Sequence, residues 1–389
     1  MSRRSLFLVS FIAVISISSY VVWGFYAHRE INRLAVFTMP SELAGFYKRN
    51  QIYVSTHAVD PDKRRYAAAL EGPRHYIDME RFGDGTVDAL PLEFWEFHDK
   101  FTGLYCITAT DSLEVSFAEG VIKVGEQTAK LKKNDYKFWY SKEIFPSYRQ
   151  ELDTINTALP VKIRGDFNPC LRFSVFDTMM QHGVIPYHME DMLRWLTLAF
   201  KKRDTKRILQ LSAELGHYIG DATVPLHTTT NYNGQETGQR GIHAFWESRI
   251  PELFAEAEFD MLVGKANYIV DKPAFFRELI RTSHERVDSV LLIEADLRLE
   301  MPESEQECYE ERLGRIVRVP CTAFTRAYYN RLDGMVEDRF RLAINSVGSA
   351  WYTAWVDAGR PSMDGDLAVK VEPKDTTYSR KAGLDGRDH

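Results

Sequence analysis

The stretch from Asp177 to Ala222, DTMMQHGVIPYHMEDMLRWLTLAFKKRDTKRILQLSAELGHYIGDA, predicts the fold class of the chain. Gly183 and Pro186 interrupt it near its beginning, so we expect two long helices with a break at that point. In the second helix, apolar residues recur at helical spacing. They are Leu193, Leu196, Leu198, Ala199, Phe200, Ile208, Leu209, Leu211 and Leu215. This periodicity predicts a mostly helical protein.

The flanking segments continue the helical pattern. Residues 25–48 predict a helix that Pro40 interrupts, and residues 253–345 continue in the same style. Residues 342–358 predict a final buried helix. No internal repeat or low-complexity tract divides the chain, so we expect an all-α fold with one principal domain over residues 23–360.

One segment departs from this pattern. Apolar and polar residues alternate between Cys106 and Leu131, with Glu119-Gly120 in the middle, and this alternation is typical of a β-hairpin. The apolar positions are Leu113, Val115, Phe117, Val121, Ile122 and Val124. We therefore predict a small β-hairpin insertion over residues 103–165.

Composition and charge exclude several classes of protein. The chain has 389 residues, of which 44% are hydrophobic and 27% charged, a balance that indicates a folded protein. Its 49 Lys and Arg against 55 Asp and Glu give a net charge of −6, which argues against a basic nucleic-acid clamp. The 4 cysteines include no CxxC pair, so neither a disulfide-dense scaffold nor a cysteine-built zinc ribbon is expected.

The two ends of the chain predict export and a flexible tail. Arg3 and Arg4 precede an apolar run from Leu6 to Ile17, followed by small residues, which is the pattern of a signal peptide over residues 1–22. We expect a periplasmic or secreted protein, with an uncleaved membrane anchor as the alternative. Export would allow disulfides, and Cys308 and Cys321 are close enough in sequence to pair. Residues 361–389, rich in Pro, Gly, Asp and Lys, predict a flexible tail.

Histidine and acidic residues are concentrated within 31 residues of the chain. His217 and Asp221 are four positions apart, as are His243 and Glu247, so each pair shares one helix face. His227 follows Pro225 between the two pairs. A single pair of this kind is usually a surface pair or a satisfied core histidine. Two pairs with a third histidine between them favour zinc, which binds neutral imidazole and carboxylate.

These residues resemble the superfamily of zinc-dependent phospholipases C and S1/P1-type nucleases, and are closer to the phospholipase C branch. The resemblance extends discontinuously from Trp23 to Glu247. Its motifs are Trp23-Gly-Phe-Tyr-Ala-His28, Asp60, His75-Tyr-Ile-Asp78, His217-Tyr-Ile-Gly-Asp221, Pro225-Leu-His227 and His243-Ala-Phe-Trp-Glu247. The resemblance implies a mostly helical fold around three Zn²⁺ ions.

The resemblance also assigns ligands to each ion. The first ion would be held by Asp60, His75, His217 and Asp221; the second by His227, His243 and Glu247; and the third by His28, Asp221 and the main chain of Trp23. Asp62 is the alternative to Asp60 as a ligand, but the gap of 15 residues between Asp60 and His75 favours Asp60. Four histidines have no place in the pattern and are expected to be structural: His57, His98, His182 and His188.

The third site depends on where the signal peptide is cut. In the family, the tryptophan is the mature N-terminus, and its free amine binds the metal. A cut before Trp23 is therefore our hypothesis. A cut after Ser18 fits the preference for small residues better and would leave four further residues ahead of Trp23.

The ion charges imply a mechanism. Three Zn²⁺ would bring six positive charges against three negative ones from Asp60, Asp221 and Glu247, which makes a cationic pocket suited to a phosphate ester. The resemblance implies that the pair bridged by Asp221 holds a zinc-bridging hydroxide that attacks the phosphorus. Asp60 would orient or deprotonate this nucleophile, and the second ion would stabilise the leaving oxygen.

Three functions follow from these residues. We favour a phospholipase C-like hydrolase acting as a monomer, because the nuclease branch typically has Asp where Glu247 stands, and Asn where Ile242 and Ser248 stand. The alternative is an S1/P1-type single-strand nuclease or nucleotidase, for which Tyr76, Tyr232, Phe245 and Trp246 would stack bases. The third is a non-catalytic module that zinc stabilises.

Overall fold

The computed structural model describes residues 24–65, 67–150, 154–160, 170–312 and 314–365. Helices dominate these residues, and a small antiparallel sheet interrupts them. The helices are α1 (Gly24–Ala35), α2 (Ser41–Arg49), α3 (Gln51–Thr56), α4 (Asp60–Arg65), α5 (Phe94–Phe101), α6 (Lys133–Trp139), α7 (Pro146–Gln150), α8 (Met179–His182), α9 (Ile185–Lys202), α10 (Thr205–Ala222), α11 (Ile242–Ala244), α12 (Ile250–Glu258), α13 (Lys272–His284), α14 (Val287–Glu300), α15 (Glu303–Gln306), α16 (Thr322–Arg331) and α17 (Met335–Asp357). The strands are β1 (Thr102–Ile107), β2 (Ser112–Ala118), β3 (Val121–Val124), β4 (Gln127–Lys130), β5 (Thr154–Ile155), β6 (Arg172–Asp177), β7 (Glu307–Arg312) and β8 (Arg315–Pro320).

The helical core is built around α10 and α17. Both pack against α1 and α9, so α10 is enclosed on several sides. Trp351 of α17 is fully buried, stacks on Tyr47 with ring centroids 4.5 Å apart, and donates its indole N–H to the Ser212 carbonyl. A polar side chain that α10 directs into this core must therefore find partners there.

The break near Gly183 is confirmed, but the helices around it differ from the prediction. The first is only the short α8, because the chain before it forms β6. The second divides into α9 and α10 where Arg203 adopts a left-handed φ of 53°. The Asp204 side chain then caps α10 by accepting a hydrogen bond from the Arg207 amide. This turn lets α9 and α10 pack against each other.

The predicted hairpin belongs to a larger sheet than expected, so an all-α fold is only an approximation. The strand order is β4–β3–β2–β1–β6–β5, and neighbouring strands are antiparallel. Glu119 and Gly120 form its central turn with φ of 51° and 77°. The sheet has its own hydrophobic core and extends beyond the 103–165 segment, because β6 pairs with β1. The disulfide Cys106–Cys170 joins β1 to the segment before β6.

A second hairpin lies within the segment that the sequence predicted to be helical. Strands β7 and β8 pair along their whole length, and Gly314 between them has a φ of 74°. A disulfide joins Cys308 to Cys321 at the base of this hairpin. Closing the 13-residue separation with a covalent bond restricts the unfolded chain and stabilises the short hairpin.

The first residues of the predicted flexible tail, 361–365, contact the helical core. Met363 is only 2% exposed, its carbonyl accepts a hydrogen bond from Arg49, and the Ser362 carbonyl accepts one from Arg203. These contacts hold residues 361–365 against the helical core. The rest of the predicted tail and the signal peptide lie outside the described residues. In the described parts of the chain, no helix combines the length and the apolar character that crossing a bilayer requires.

Candidate metal centre

Five histidines and three carboxylates from separate elements converge beside the C-terminal half of α10. They are His28 from α1, Asp62 from α4, His75 from the loop after the 3₁₀ turn Ala69–Arg74, His217 and Asp221 from α10, His227 from the 3₁₀ turn Pro225–Thr228, His243 from α11 and Glu247 from the π-helical turn Phe245–Arg249. Every histidine among them is buried. Their ligand atoms form three groups in which the atoms lie within 4.8 Å of one another.

The first group surrounds Asp221 Oδ2. His75 Nδ1 is 2.9 Å and His217 Nε2 3.2 Å from this oxygen, and the two nitrogens are 3.0 Å apart. Asp62 Oδ1 completes the group at 3.8 Å from His75 Nδ1 and 3.7 Å from His217 Nε2. Ligands on a tetrahedral zinc ion, at about 2.1 Å from it, are about 3.4 Å from each other. The donor spacing therefore fits one such ion.

The structure brings Asp62, not Asp60, to this group. Asp60 Oδ2 lies 2.6 Å from His57 Nδ1, and its other oxygen accepts from Lys63 at 3.2 Å. The two carboxylates are two positions apart on α4, about 200° around the helix axis, so they point to different sides. Asp62 therefore replaces Asp60 in the candidate ligand set.

The second group consists of His227, His243 and Glu247. His227 Nδ1 lies 2.6 Å from the His75 carbonyl and His243 Nδ1 3.1 Å from the Tyr232 carbonyl. A carbonyl oxygen only accepts, so both Nδ1 atoms carry a proton and donate it. The Nε2 atoms then face Glu247 Oε2, at 3.4 Å for His227 and 2.7 Å for His243. This orientation is typical of metal-binding histidines, whose second nitrogen donates to a carbonyl or carboxylate.

The third group joins His28 to Asp221 and His217. His28 Nε2 is 3.3 Å from Asp221 Oδ1 and 4.0 Å from Glu247 Oε1. Trp23, which the resemblance assigns to the same ion, lies outside the described residues. The described side chains therefore provide two of the three expected ligand residues of this ion.

Two glycines of α10 allow α1 to approach closely enough for this contact. A Cβ atom on Gly216 would lie 1.9 Å from Asn32 Oδ1, and one on Gly220 would lie 2.9 Å from His28 Nδ1. Both distances are too short for a real Cβ contact. Glycine at these positions lets α1 lie against α10, and it places the His28 ring beside Asp221.

The buried carboxylates of the cluster need positive charge close to them. Burial by itself would raise the pKa of Asp221 and Glu247, but the neighbouring histidines hold both well below their usual range. Burial lowers the pKa of His28, but the carboxylates of Asp221, Asp62 and Glu247 together raise it to about 9. Protons or divalent cations can supply this charge, and a cluster of imidazole nitrogens and carboxylate oxygens matches the ligand chemistry of zinc.

A buried carboxylate behind His75 was missed by sequence reasoning. Glu71 Oε1 lies 3.8 Å from His75 Nε2 and accepts a hydrogen bond from the Tyr218 hydroxyl, while Arg64 and Arg74 pair with its other oxygen. Burial opposes its charge, but chiefly Arg64 lowers its pKa to about 2. Its negative charge lies beside His75 Nε2, on the side of the ring opposite the first group. The only sequence signal is its position four residues before His75.

The four histidines that the resemblance leaves out also lie outside the three groups. His57 contacts Asp60, and His182 Nδ1 lies 2.9 Å from Asp78 Oδ2. His98 Nδ1 lies 2.7 Å from the Tyr140 hydroxyl, in the region of the sheet. His188 packs edge-on against Tyr218, with ring centroids 4.5 Å apart. Each of the four therefore has a contact of its own outside the candidate metal centre.

Comparisons with known proteins give no family. No protein-family model matches the chain, and no curated protein shows significant similarity to it. The functional proposal therefore depends on the geometry of the cluster and on the sequence motifs.

Proposed function

We propose that the chain is a zinc-dependent phosphodiester hydrolase of the phospholipase C type, with the fold of that superfamily. The position of Asp221 carries this proposal. Its Oδ2 contacts His75 and His217, whereas its Oδ1 faces His28 at 3.3 Å and His227 at 3.8 Å. A carboxylate whose two oxygens serve different sets of imidazoles is placed to bridge two ions, as clusters that bind phosphate esters require.

The ligand assignment follows the three groups. Asp62, His75, His217 and Asp221 would hold one ion; His227, His243 and Glu247 a second; and His28 and Asp221, with Trp23, a third. When bound, zinc supplies positive charge to a phosphate and lowers the pKa of water to about 7. The chain itself fixes two of the rings, through the carbonyls that accept hydrogen bonds from His227 and His243.

Among the described residues, the carboxylates of the cluster are accessible to solvent to different degrees. The Asp221 side chain is 2% exposed, whereas Glu247 is 11% and Asp62 21% exposed. A substrate would therefore approach along Asp62 and Glu247, and Asp62 is placed to orient a water molecule or accept its proton. Structural zinc sites are closed, so this accessible side supports a catalytic site over a zinc-stabilised module.

The surroundings of the cluster favour a lipid phosphodiester over nucleic acid. Tyr76, Phe245 and Trp246 are all buried, and Phe245 stacks on Phe324, so these rings do not offer a free face to a base. Only Tyr232 among the aromatic candidates is partly exposed. Base stacking on exposed aromatic rings is the usual basis of single-strand binding. The net charge of −6 agrees with this preference.

The experiment is a metal-dependence assay with two substrates side by side. Purified protein is analysed for zinc, stripped with a chelator, reloaded, and offered phosphatidylcholine and single-stranded DNA. We expect the chelator to abolish hydrolysis, zinc to restore it, and phosphatidylcholine to be the better substrate. Full activity after stripping would end the proposal, and hydrolysis of DNA alone would establish the nuclease alternative.

We further propose that the protein is exported. Two disulfides, Cys106–Cys170 and Cys308–Cys321, leave no free cysteine among the described residues, and such bonds persist in oxidising compartments. N-terminal sequencing of the mature protein tests both export and the third ion. A chain beginning at Trp23 would provide the free amine, whereas one beginning at Ser19 would lack it.

A further inference from the structure

A large cavity lies between the β7–β8 hairpin and the segment from Gly238 to Glu252. Its volume is about 560 Å³. Phe245, Ser248 and Arg249 line it, whereas none of the candidate metal ligands does. The cavity is therefore separate from the metal centre, although the same π-helical turn contributes to both.

Guanidinium groups dominate the charged side chains of this cavity. Its walls contain the arginines Arg240, Arg249, Arg298, Arg312 and Arg318, against the carboxylates Glu252 and Glu307. Outside the cavity, Glu294 and Glu310 also pair with members of this set. Five guanidiniums against these four carboxylates still leave a positive balance, in a protein whose overall charge is negative.

The arginines differ in how firmly they are paired. Arg249 and Arg312 both pair with Glu310, and Arg298 pairs with Glu294. Arg240 is exposed and has no hydrogen bond or ion pair within the described parts of the chain. Among the residues that the structure describes, Arg318 has one ion pair, with Glu307 at 3.5 Å, and the Arg318 side chain is 65% exposed. Two guanidiniums at the cavity are thus available to a ligand.

A buried donor and an apolar surface also line the cavity. Arg249 is 5% exposed, and its Nε has no hydrogen-bond partner among the described residues. Ile242 and Phe245 line the same cavity and are buried. The site therefore offers planar cationic donors together with an apolar surface.

We infer that this cavity binds a phosphate-bearing anion at a site distinct from the metal centre. The planar fork of a guanidinium matches two phosphate oxygens, and the rim arginines can make such contacts without breaking a close ion pair. The anion is either a free phosphate compound or a lipid headgroup. Ile316, which lines the cavity and is 77% exposed, would contact the acyl region in the second case.

The test compares wild-type protein with the double variant Arg240→Gln/Arg318→Gln. Both side chains lie at the surface, so the variant is expected to fold. Arg194→Gln is the control, because Arg194 is also an exposed arginine and, like Arg318, has an ion pair, but it lies on α9 and does not line the cavity. All three proteins are zinc-loaded equally and titrated calorimetrically with inorganic pyrophosphate. They are then sedimented with vesicles of phosphatidylcholine alone or with added phosphatidic acid.

Any binding of pyrophosphate to the metal centre is common to all three proteins, so the double variant isolates the cavity. We expect it to bind pyrophosphate, acidic vesicles or both at least about 10-fold more weakly than wild type, with Arg194→Gln unchanged. A loss for pyrophosphate alone assigns a free phosphate compound, and a loss for vesicles assigns a lipid headgroup. If all three proteins bind both probes equally, the inference is overturned.

Discussion

Replacing Asp62 by asparagine should weaken zinc binding, and replacing Asp60 should not. Asp62 Oδ1 lies 3.8 Å from His75 Nδ1 and 3.7 Å from His217 Nε2, so an ion held by these nitrogens would be adjacent to its charge. Asp60 lies on another side of α4 and contacts His57 and Lys63. The two variants change the same chemical group two positions apart.

The expected loss follows from the charge that the variant removes. At an effective dielectric constant of about 20, even two unit charges about 4 Å apart interact by about 4 kcal/mol, which is a lower bound for a carboxylate bound directly to a divalent ion. The asparagine oxygen remains a neutral ligand and retains part of this interaction. We therefore expect Asp62→Asn to cost about 2 kcal/mol, or about 30-fold in zinc affinity.

The control variant should affect stability instead. Asp60→Asn removes a half-buried ion pair with His57 and Lys63, and we expect the free energy of unfolding to fall by about 1 kcal/mol. Its zinc affinity should stay within about 3-fold of wild type, since no contact with the three ligand groups is lost.

The assay is a zinc titration against a competing chelator, with urea unfolding of the same preparations. It reports affinity and stability separately for each variant. A larger loss of zinc affinity for Asp60→Asn than for Asp62→Asn would refute the ligand assignment, and so would equal losses in both.

Three further predictions concern the cluster and the sheet. His217→Ala should abolish both zinc retention and hydrolysis, whereas His182→Ala should change them little; equal losses, by metal analysis and assay, would contradict the assignment. Gly220→Ala should displace the His28 ring, because the added Cβ would lie 2.9 Å from its Nδ1, and should lower the zinc content, by elemental analysis, with helicity retained. Burial lowers the pKa of His98 to about 3, so the folded protein binds fewer protons there than the unfolded chain, whose pKa is about 6.5. The free energy of unfolding should therefore fall below pH 6.5 by about 1.4 kcal/mol per pH unit from this group, and urea unfolding of His98→Gln at several pH values should show a shallower dependence.

Helical periodicity predicted the body of the fold because it reflects local geometry. The long apolar pattern before Asp221 identified the buried helices, and Pro40 correctly marked the end of a helical segment. The turn at Arg203 was missed, because no glycine or proline stands there and a charged residue adopts the left-handed conformation. The β7–β8 hairpin was missed because its strands alternate charged and apolar residues within a helical region, and a disulfide stabilises it.

The candidate site was predicted where its spacing is local. His217 with Asp221 and His243 with Glu247 lie one helical turn apart, and the structure brings both pairs together. The choice between Asp60 and Asp62 depends on how α4 is rotated, which tertiary packing decides. Sequence spacing across 15 residues does not contain this information. Glu71 was not predicted because its role also depends on tertiary packing: its contact with Tyr218 joins residues 147 positions apart.

The first and last strands of the inserted sheet meet at their outer ends, where Thr102 pairs with Asp177. The polypeptide thus leaves and re-enters the helical body at neighbouring points, and the Cys106–Cys170 bond lies wholly within the excursion. We therefore expect that a tight loop replacing this segment would keep the helical body continuous at the cost of the packing of Tyr148, and that another small module with adjacent termini would fit the same junction.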